Sequence, residues 1–232
     1  MVTSEATPFA KSGGLADAVS ALSRALARMG HDVRIVLPRY GIIPIEGKNA
    51  LFSGMDVPMG GCVEKADVYE GVLPDSSIPV YFVDHAGFFG RDGIYGSKTE
   101  TDFADNPRRF SFFSRSAFRL CEALGWKPDV IHAHDWPTSF VPAYKKYAEP
   151  GFSGAVSILS IHNLGYQGVY PKENYHYVDL PWELYHHGGF EFYSSINVLK
   201  AGITCADRLS TVSPTYAREI QTPELGCSLD GL

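Results

Sequence analysis

The sequence has no run of about 18 consecutive apolar residues, the length a membrane-spanning helix requires. Its opening, MVTSEATPFAKSGG, has neither the cationic nor the apolar region of a secretory signal. Export and membrane insertion are therefore not expected, and the chain reads as cytoplasmic. Basic residues are scattered singly: 20 Lys and Arg stand against 26 Asp and Glu, a formal net charge of −6, so no cationic face for nucleic acid is expected. The four cysteines, Cys62, Cys121, Cys205 and Cys227, form no C-x-x-C pair and no zinc-finger spacing. They read as buried thiols of a reducing compartment. No internal repeat of roughly 20 to 50 residues is visible.

What is present is 45% hydrophobic and 20% charged residues over 232, enough apolar side chain for one full core. One domain over residues 1–232 is expected. Both ends read as cut: only "MVTS" stands where an apolar strand would precede a glycine loop, and "CSLDGL" ends without an element, so a longer polypeptide is expected.

Leu15, Val19, Leu22, Leu26 and Met29 step by four and three, predicting an amphipathic helix with these five on its buried face and Gly30 after its end. Strands are predicted at 32–38, where Pro38 ends the run, and at 78–85, 129–134, 155–161 and 208–212. Between them lie helices at 107–124, with Asn106 as N-cap, from about Pro137, at 195–206 and over 214–220. Residues 39–76 read as a hairpin excursion from the main sheet, and the glycine-rich 87–106 as a loop that is functional or mobile. Apolar strands alternating with helices indicate an α/β fold, a doubly wound parallel sheet.

In such sheets ligands lie beyond the carboxyl ends of the strands. The stretch "PFAKSGGLADAV" places Lys11, Gly13 and Gly14 at a helix start, where free amides and a nearby cation suit a phosphate; the other reading is a tight turn with a solvated lysine. It matches neither G-x-G-x-x-G nor the P-loop. His132 and His134 share one strand face, with Asp135 beginning the next loop. With His162, His176, His186 or His187 they offer a zinc site of hydrolase type, against the commoner reading of satisfied core histidines. Aromatic residues in the loops, Tyr95, Trp136, Tyr166, Tyr170, Tyr175, Tyr177 and Trp182, beside amide and imidazole groups, suit a polyhydroxylated ligand such as a sugar, although aromatics also fill cores. A non-catalytic carbohydrate-binding module fits the same features.

The stretches "KSGGLADAV", "GHDVRIVLPRYG", "VIHAHDWPTSFVPAY", "IHNLGYQGVYP", "LPW", "FEFYSSINVLKAGITCADRLSTVSPTYAREI" and "SLDGL", in this order, closely resemble the N-terminal half of bacterial-type glycogen synthases and plant starch synthases. The likeness is weakest over 41–77. The resemblance implies the first Rossmann-like domain of a two-domain GT-B glycosyltransferase. Such enzymes transfer glucose from ADP-glucose or UDP-glucose to the non-reducing end of an α-1,4-glucan with retention of configuration, and need no metal or other cofactor. It also implies a plastid location if the source is a plant.

Carried over, Lys11, Gly13 and Gly14 would meet the donor phosphates. His162 and Asp135 would act at the transferred glucose, and Asp17, Tyr95, Trp136, Asn163 and Tyr166 would bind sugar or acceptor. The family's catalytic glutamate and its diphosphate-binding arginine and lysine belong to a second, nucleotide-binding domain that is absent here, so the 232 residues alone are expected to be catalytically incomplete.

Overall fold

A computed structural model describes all residues except Glu46 and Lys48. In chain order the elements are α1 (Gly14–Arg28), β1 (Ile35–Pro38), β2 (Phe52–Met59), β3 (Cys62–Val72), β4 (Pro79–Asp84), α2 (Ala86–Phe89) and α3 (Asn106–Ala123). There follow β5 (Val130–His134), α4 (Phe140–Tyr147), β6 (Val156–Ile161), β7 (Val169–Pro171), β8 (Glu191–Phe192), β9 (Ser195–Asn197), α5 (Val198–Cys205), β10 (Arg208–Thr211) and α6 (Pro214–Glu219).

β1 is buried at all four positions and runs parallel to β4, Ile35 opposite Val80. β5, β6 and β10 form a second parallel set. The seam between the sets is closed by the first residues of the chain: Val2 bridges in parallel to both Val36 and Ala133, and its N–H donates to the His132 carbonyl at 2.8 Å. The stub "MVTS" therefore stands in the central strand position, and its end, Ser4 and Glu5, lies on the carboxyl edge beside the glycine loop. The fold is the expected Rossmann-like α/β sheet.

Four expectations need correction. The 39–76 segment does hold a hairpin, β2–β3, but β3 pairs antiparallel with β4, so it widens the main sheet instead of leaving it. Residues 195–197 are a strand, not a helix start, and join β7 and β8 in a small separate sheet. The N-cap of α3 is Asp105, which frees the Asn106 side chain for other bonds. Only Cys121 and Cys205 are buried; Cys62 and Cys227 are exposed.

The buried face of α1 is also rotated from the expected one. Leu15, Ala16, Val19, Ser20 and Ser23 are buried, whereas Met29 is 71% exposed. Small residues let this helix approach the chain at Thr7 closely enough for the Ser20 hydroxyl to donate to the Thr7 carbonyl at 3.0 Å, and for the Thr7 N–H to donate to the Ala16 carbonyl at 3.3 Å. Periodicity finds apolar faces but does not see a contact made by backbone and serine.

α3 is buried on nearly every side, through Phe110, Phe112, Phe113 and Phe118 among others. Each such phenylalanine contributes about 1.5 to 3 kcal/mol by leaving water. Within this helix Arg109 is fully buried and has no carboxylate partner among the described residues. Its guanidinium donates to the Phe88 carbonyl at 2.7 Å, to the Ile94 carbonyl at 3.1 Å, and to Asn106 Oδ1. Asn106 in turn donates to the Tyr95 carbonyl at 2.8 Å and to Asp102 Oδ1 at 2.6 Å. The glycine-rich 87–106 segment is thus tied to α3 at several points. Replacing Arg109 by Met should leave three acceptors, two of them on buried residues, without these donors and lower stability by about 2 to 4 kcal/mol. Chemical unfolding and the rate of tryptic cleavage at Arg91 and Lys98 check this; unchanged stability with an equally protected segment would contradict it.

Candidate active site

The carboxyl ends of the strands open into one cleft of about 1110 Å³. Its wall includes Glu5, Ser12, Gly13, Gly14, Tyr95, Asp135, Trp136, His162, Asn163 and Tyr166.

The glycines at the start of α1 are not demanded by the backbone. Gly13 is extended, with φ −150° and ψ −159°, which any residue can adopt, and a Cβ on Gly13 or Gly14 would meet nothing within 4 Å. What they provide is open space in front of the helix amides, while Lys11 is about half exposed, as the tight-turn reading has it. The first amides are already in use. Glu5, 2% exposed, accepts from the Ser12 N–H at 2.5 Å and the Gly13 N–H at 3.2 Å through Oε2, and from the Ser12 hydroxyl at 2.7 Å through Oε1. A carboxylate at a helix start is stabilised by the same partial positive charge that would hold a phosphate oxygen. The next amides, of Gly14 and Leu15, have no acceptor within the described residues.

Lys11 and Asp17 stand apart from this group. They pair with each other at 2.7 Å, each about half exposed, and neither forms part of the cleft wall. Lys11 and Thr7 both donate to the Asp17 carboxylate and hold its pKa below the usual value.

Asp135 and His162 end adjacent strands, β5 and β6. Asp135 has φ 57° and ψ −176°, a region almost confined to glycine, at a cost of about 1 to 3 kcal/mol. This turn aims the carboxylate sideways, where Oδ1 accepts the His162 N–H at 2.7 Å and the Asn163 N–H at 3.4 Å. Burial pushes the Asp135 carboxyl up to about 6, against the opposing pull of those two amides, with Glu5 across the cleft raising it further. His162 sits with Nε2 at 3.2 Å from Nδ1 of the fully buried His134. His132 stacks on His134 with ring centroids 4.2 Å apart, and its Nε2 meets the Ser160 hydroxyl at 2.7 Å. Burial lowers all three imidazoles below the ordinary range, His132 to about 4. Burial disfavours a charge on these rings, each has a nitrogen within hydrogen-bond distance of a protein partner, and the described residues contain no group of three or more His, Cys, Asp or Glu that could hold a metal. The zinc-hydrolase alternative has no geometric support, and His176, His186 and His187 are not in the cleft wall.

The aromatic wall is Tyr95, Trp136 and Tyr170, with ring centroids of neighbours 5.8 to 5.9 Å apart, plus the exposed Tyr166. Tyr95 donates to Glu5 Oε1 at 2.7 Å, and its oxygen lies 2.8 Å from the Ser4 hydroxyl. Gly168 makes room for Trp136: its φ is +64°, and a Cβ there would lie 2.5 Å from the indole. Tyr175, Tyr177 and Trp182 lie outside the cleft wall.

Sequence reasoning singled out Asp135 and His134 but missed Glu5 and the ties of the loop that follows His162. Glu5 directly follows "MVTS", the stretch that stands where the strand before the glycine loop was expected. Gln167, which donates to the Cys227 carbonyl at 3.0 Å, and Tyr216, whose hydroxyl accepts from the Leu164 N–H at 2.9 Å, tie the 162–168 loop to the end of the chain and gave no local signal.

The buried Asp135 links stability to pH. Its folded pKa lies above the unfolded value, so the folded state holds the proton more tightly and stability from this group declines as pH rises from about 4 to about 6. Two units correspond to about 3 kcal/mol. The difference in unfolding free energy between Asp135→Asn and wild type should therefore move by about 2 to 3 kcal/mol in favour of the variant between about pH 4.5 and about pH 7. Urea unfolding at both values measures it, and parallel pH dependences in the two proteins would refute it.

The starch synthase catalytic domain family matches residues 1–232. A glycogen synthase of Treponema denticola is 48% identical over 234 residues, covering 100% of this chain and 48% of that protein. Glycogen synthase 1 of Geobacter metallireducens is 43% identical, over 100% of this chain and 47% of its own length. The chain thus spans about half the length of these relatives. Among solved structures, the catalytic domain of starch synthase IV from Arabidopsis thaliana, bound to ADP and acarbose, superposes with a TM-score of 0.88 at 34% identity, over 99% of this chain and 48% of that one. With a family match over its full length, relatives above 40% identity and the same fold, this chain belongs to the starch synthase catalytic domain family of glycosyltransferases.

Proposed function

We propose that the chain is the acceptor-side half of a GT-B glucosyltransferase. The enzyme transfers glucose from ADP-glucose, with UDP-glucose as the other candidate donor, to the non-reducing end of an α-1,4-glucan with retention of configuration. The observation that carries this reading is the meeting, in one cleft, of unpaired helix amides (Gly14, Leu15), an imidazole and a carboxylate (His162, Asp135) and an aromatic wall (Tyr95, Trp136, Tyr166). Amides at a helix start can take charge from a departing diphosphate. Imidazole, the Asn163 amide and flat rings can hold a sugar by its polar edge and apolar face.

The geometry refines the residue roles. Gly13 has given its N–H to Glu5, so the phosphate contact falls to the amides of Gly14 and Leu15, with Gly13 contributing space. Lys11 reaches the phosphates by exchanging Asp17 for them, a small cost because the pair is exposed and screened by solvent. Asp17, released, faces the acceptor side. Asp135 acts chiefly by holding the backbone of His162 and Asn163 toward the transferred glucose. The rest of the donor site is supplied by a second domain of the same polypeptide. A cytoplasmic location goes with this reading, supported by the bacterial relatives.

Two measurements test it. The full-length enzyme containing this chain should elongate maltooligosaccharides from ADP-glucose, while the isolated 232 residues bind them weakly without turnover; transfer by the isolated chain would overturn the proposed division of labour. In the full-length enzyme, Gly14→Ala should leave thermal stability within about 0.5 kcal/mol of wild type, because the new methyl meets nothing, yet raise the KM for ADP-glucose about tenfold. An unchanged KM would remove the phosphate role from this helix start.

A further inference from the structure

Resting on that reading, one feature of the site has no assigned role: a second histidine, His134, is fully buried directly behind His162. Its Nδ1 lies 3.2 Å from His162 Nε2. Its other nitrogen, Nε2, is buried with no partner among the described residues. The outer nitrogen of His162, Nδ1, is neither buried nor hydrogen-bonded, and His162 lines the cleft.

A neutral imidazole has one N–H donor and one lone-pair acceptor, and the bond made by one nitrogen decides which the other carries. Facing nitrogens can bond in two ways only. If His134 carried its proton on Nε2, a buried N–H would lack an acceptor, which is rare in folded proteins. If the proton is on Nδ1, the orphan is a bare lone pair and the N–H donates to His162 Nε2. His162 must then carry its own proton on Nδ1, facing the cleft. The surroundings keep both rings neutral: burial disfavours a charge on either, and each stands near another imidazole.

We infer that His134 is a positioning residue that sets the tautomer of His162, so that His162 presents an N–H donor, and no basic lone pair, to a hydroxyl oxygen of the sugar in the cleft. The rest of the buried cluster suits such a role. The His134 N–H donates to Thr138 Oγ1 at 2.6 Å, and that hydroxyl donates back to the His134 carbonyl at 2.8 Å, so the backbone is held on both sides. His132 stacks against one face of the ring. His162 in this state takes no proton from an acceptor hydroxyl.

Two-bond proton–nitrogen correlation spectra of the ligand-free chain, labelled at histidine and assigned by loss of signals in His162→Asn, read the tautomer directly. The expected result is His162 protonated at Nδ1 alone. Protonation at Nε2, or a mixture of the two forms as in free imidazole, would overturn the inference, and neither result needs a second variant to fold. In the full-length enzyme His134→Asn, whose amide N–H can replace the imidazole donor, should keep the tautomer and most of the activity. His134→Leu should lose the tautomer and lower kcat about tenfold or more while leaving the KM for ADP-glucose within about twofold. Equal kcat values for His134→Leu and wild type would also overturn it. The spectra need no substrate, so they can fail while the transferase reading stands; a full-length enzyme that transfers no glucose, with His162 shown protonated at Nδ1, would instead sink the transferase reading alone.

Discussion

The bond from the His162 amide to the Asp135 carboxylate, 2.7 Å long, is the constraint on which the site is built. It joins the ends of two neighbouring parallel strands, β5 and β6, just where both chains leave the sheet. To make it, Asp135 adopts a backbone conformation almost reserved for glycine and keeps a carboxylate largely out of water, both of which cost free energy. The sheet repays this by holding the two strand ends in fixed register, and the result is that His162 and Asn163 face the cleft with little freedom of choice. Strain concentrated at one residue, offset by packing elsewhere, is the usual condition of a functional site.

Around that bond the cleft has two shells of different character. The inner one is polar and neutral: three imidazoles lowered by burial, two serines, and a tyrosine held far above its ordinary pKa by burial and by Glu5. Of the charges nearby, Glu5 is buried against the Ser12 and Gly13 amides, and the Lys11–Asp17 pair stands exposed further out. Glu5 is more than a cap. It accepts from Tyr95 as well as from Ser12 and Gly13, so a single carboxylate links the stub of the first strand, the glycine loop and the long loop that carries Tyr95. On the proposed reading, a phosphate at the same helix start would meet a neighbouring anion and would be left the amides that Glu5 does not use.

The order of the parallel strands and the helices between them was legible in the sequence because β1, β4, β5 and β6 are short apolar runs ended by a polar or turn residue, whereas the small β7–β9 sheet was not. β4, β5, β6 and β10 fall within a residue or two of their predicted limits. The candidate residues at strand ends were legible for the same reason: a parallel sheet brings all its carboxyl ends to one edge, so Gly13, Gly14, Asp135, Trp136, His162 and Asn163 had to converge. The rotated face of α1 was not legible, because it is chosen by a backbone contact and two serines. Nor was the tie between α3 and the 87–106 segment, since Arg109 and Asn106 act through carbonyl groups distant in sequence.

The sequence by itself determined the class of the fold, the edge where chemistry is placed and the family, since these follow from local periodicity and from motifs written in unbroken stretches. Only the tertiary structure decided that Glu5 occupies the amides just ahead of α1, that Lys11 turns to Asp17, and that His134 stands behind His162. Each of these is a pairing between groups whose partners are chosen by distance in space and by the cost of leaving a buried polar atom alone, and neither quantity is written in the order of the residues.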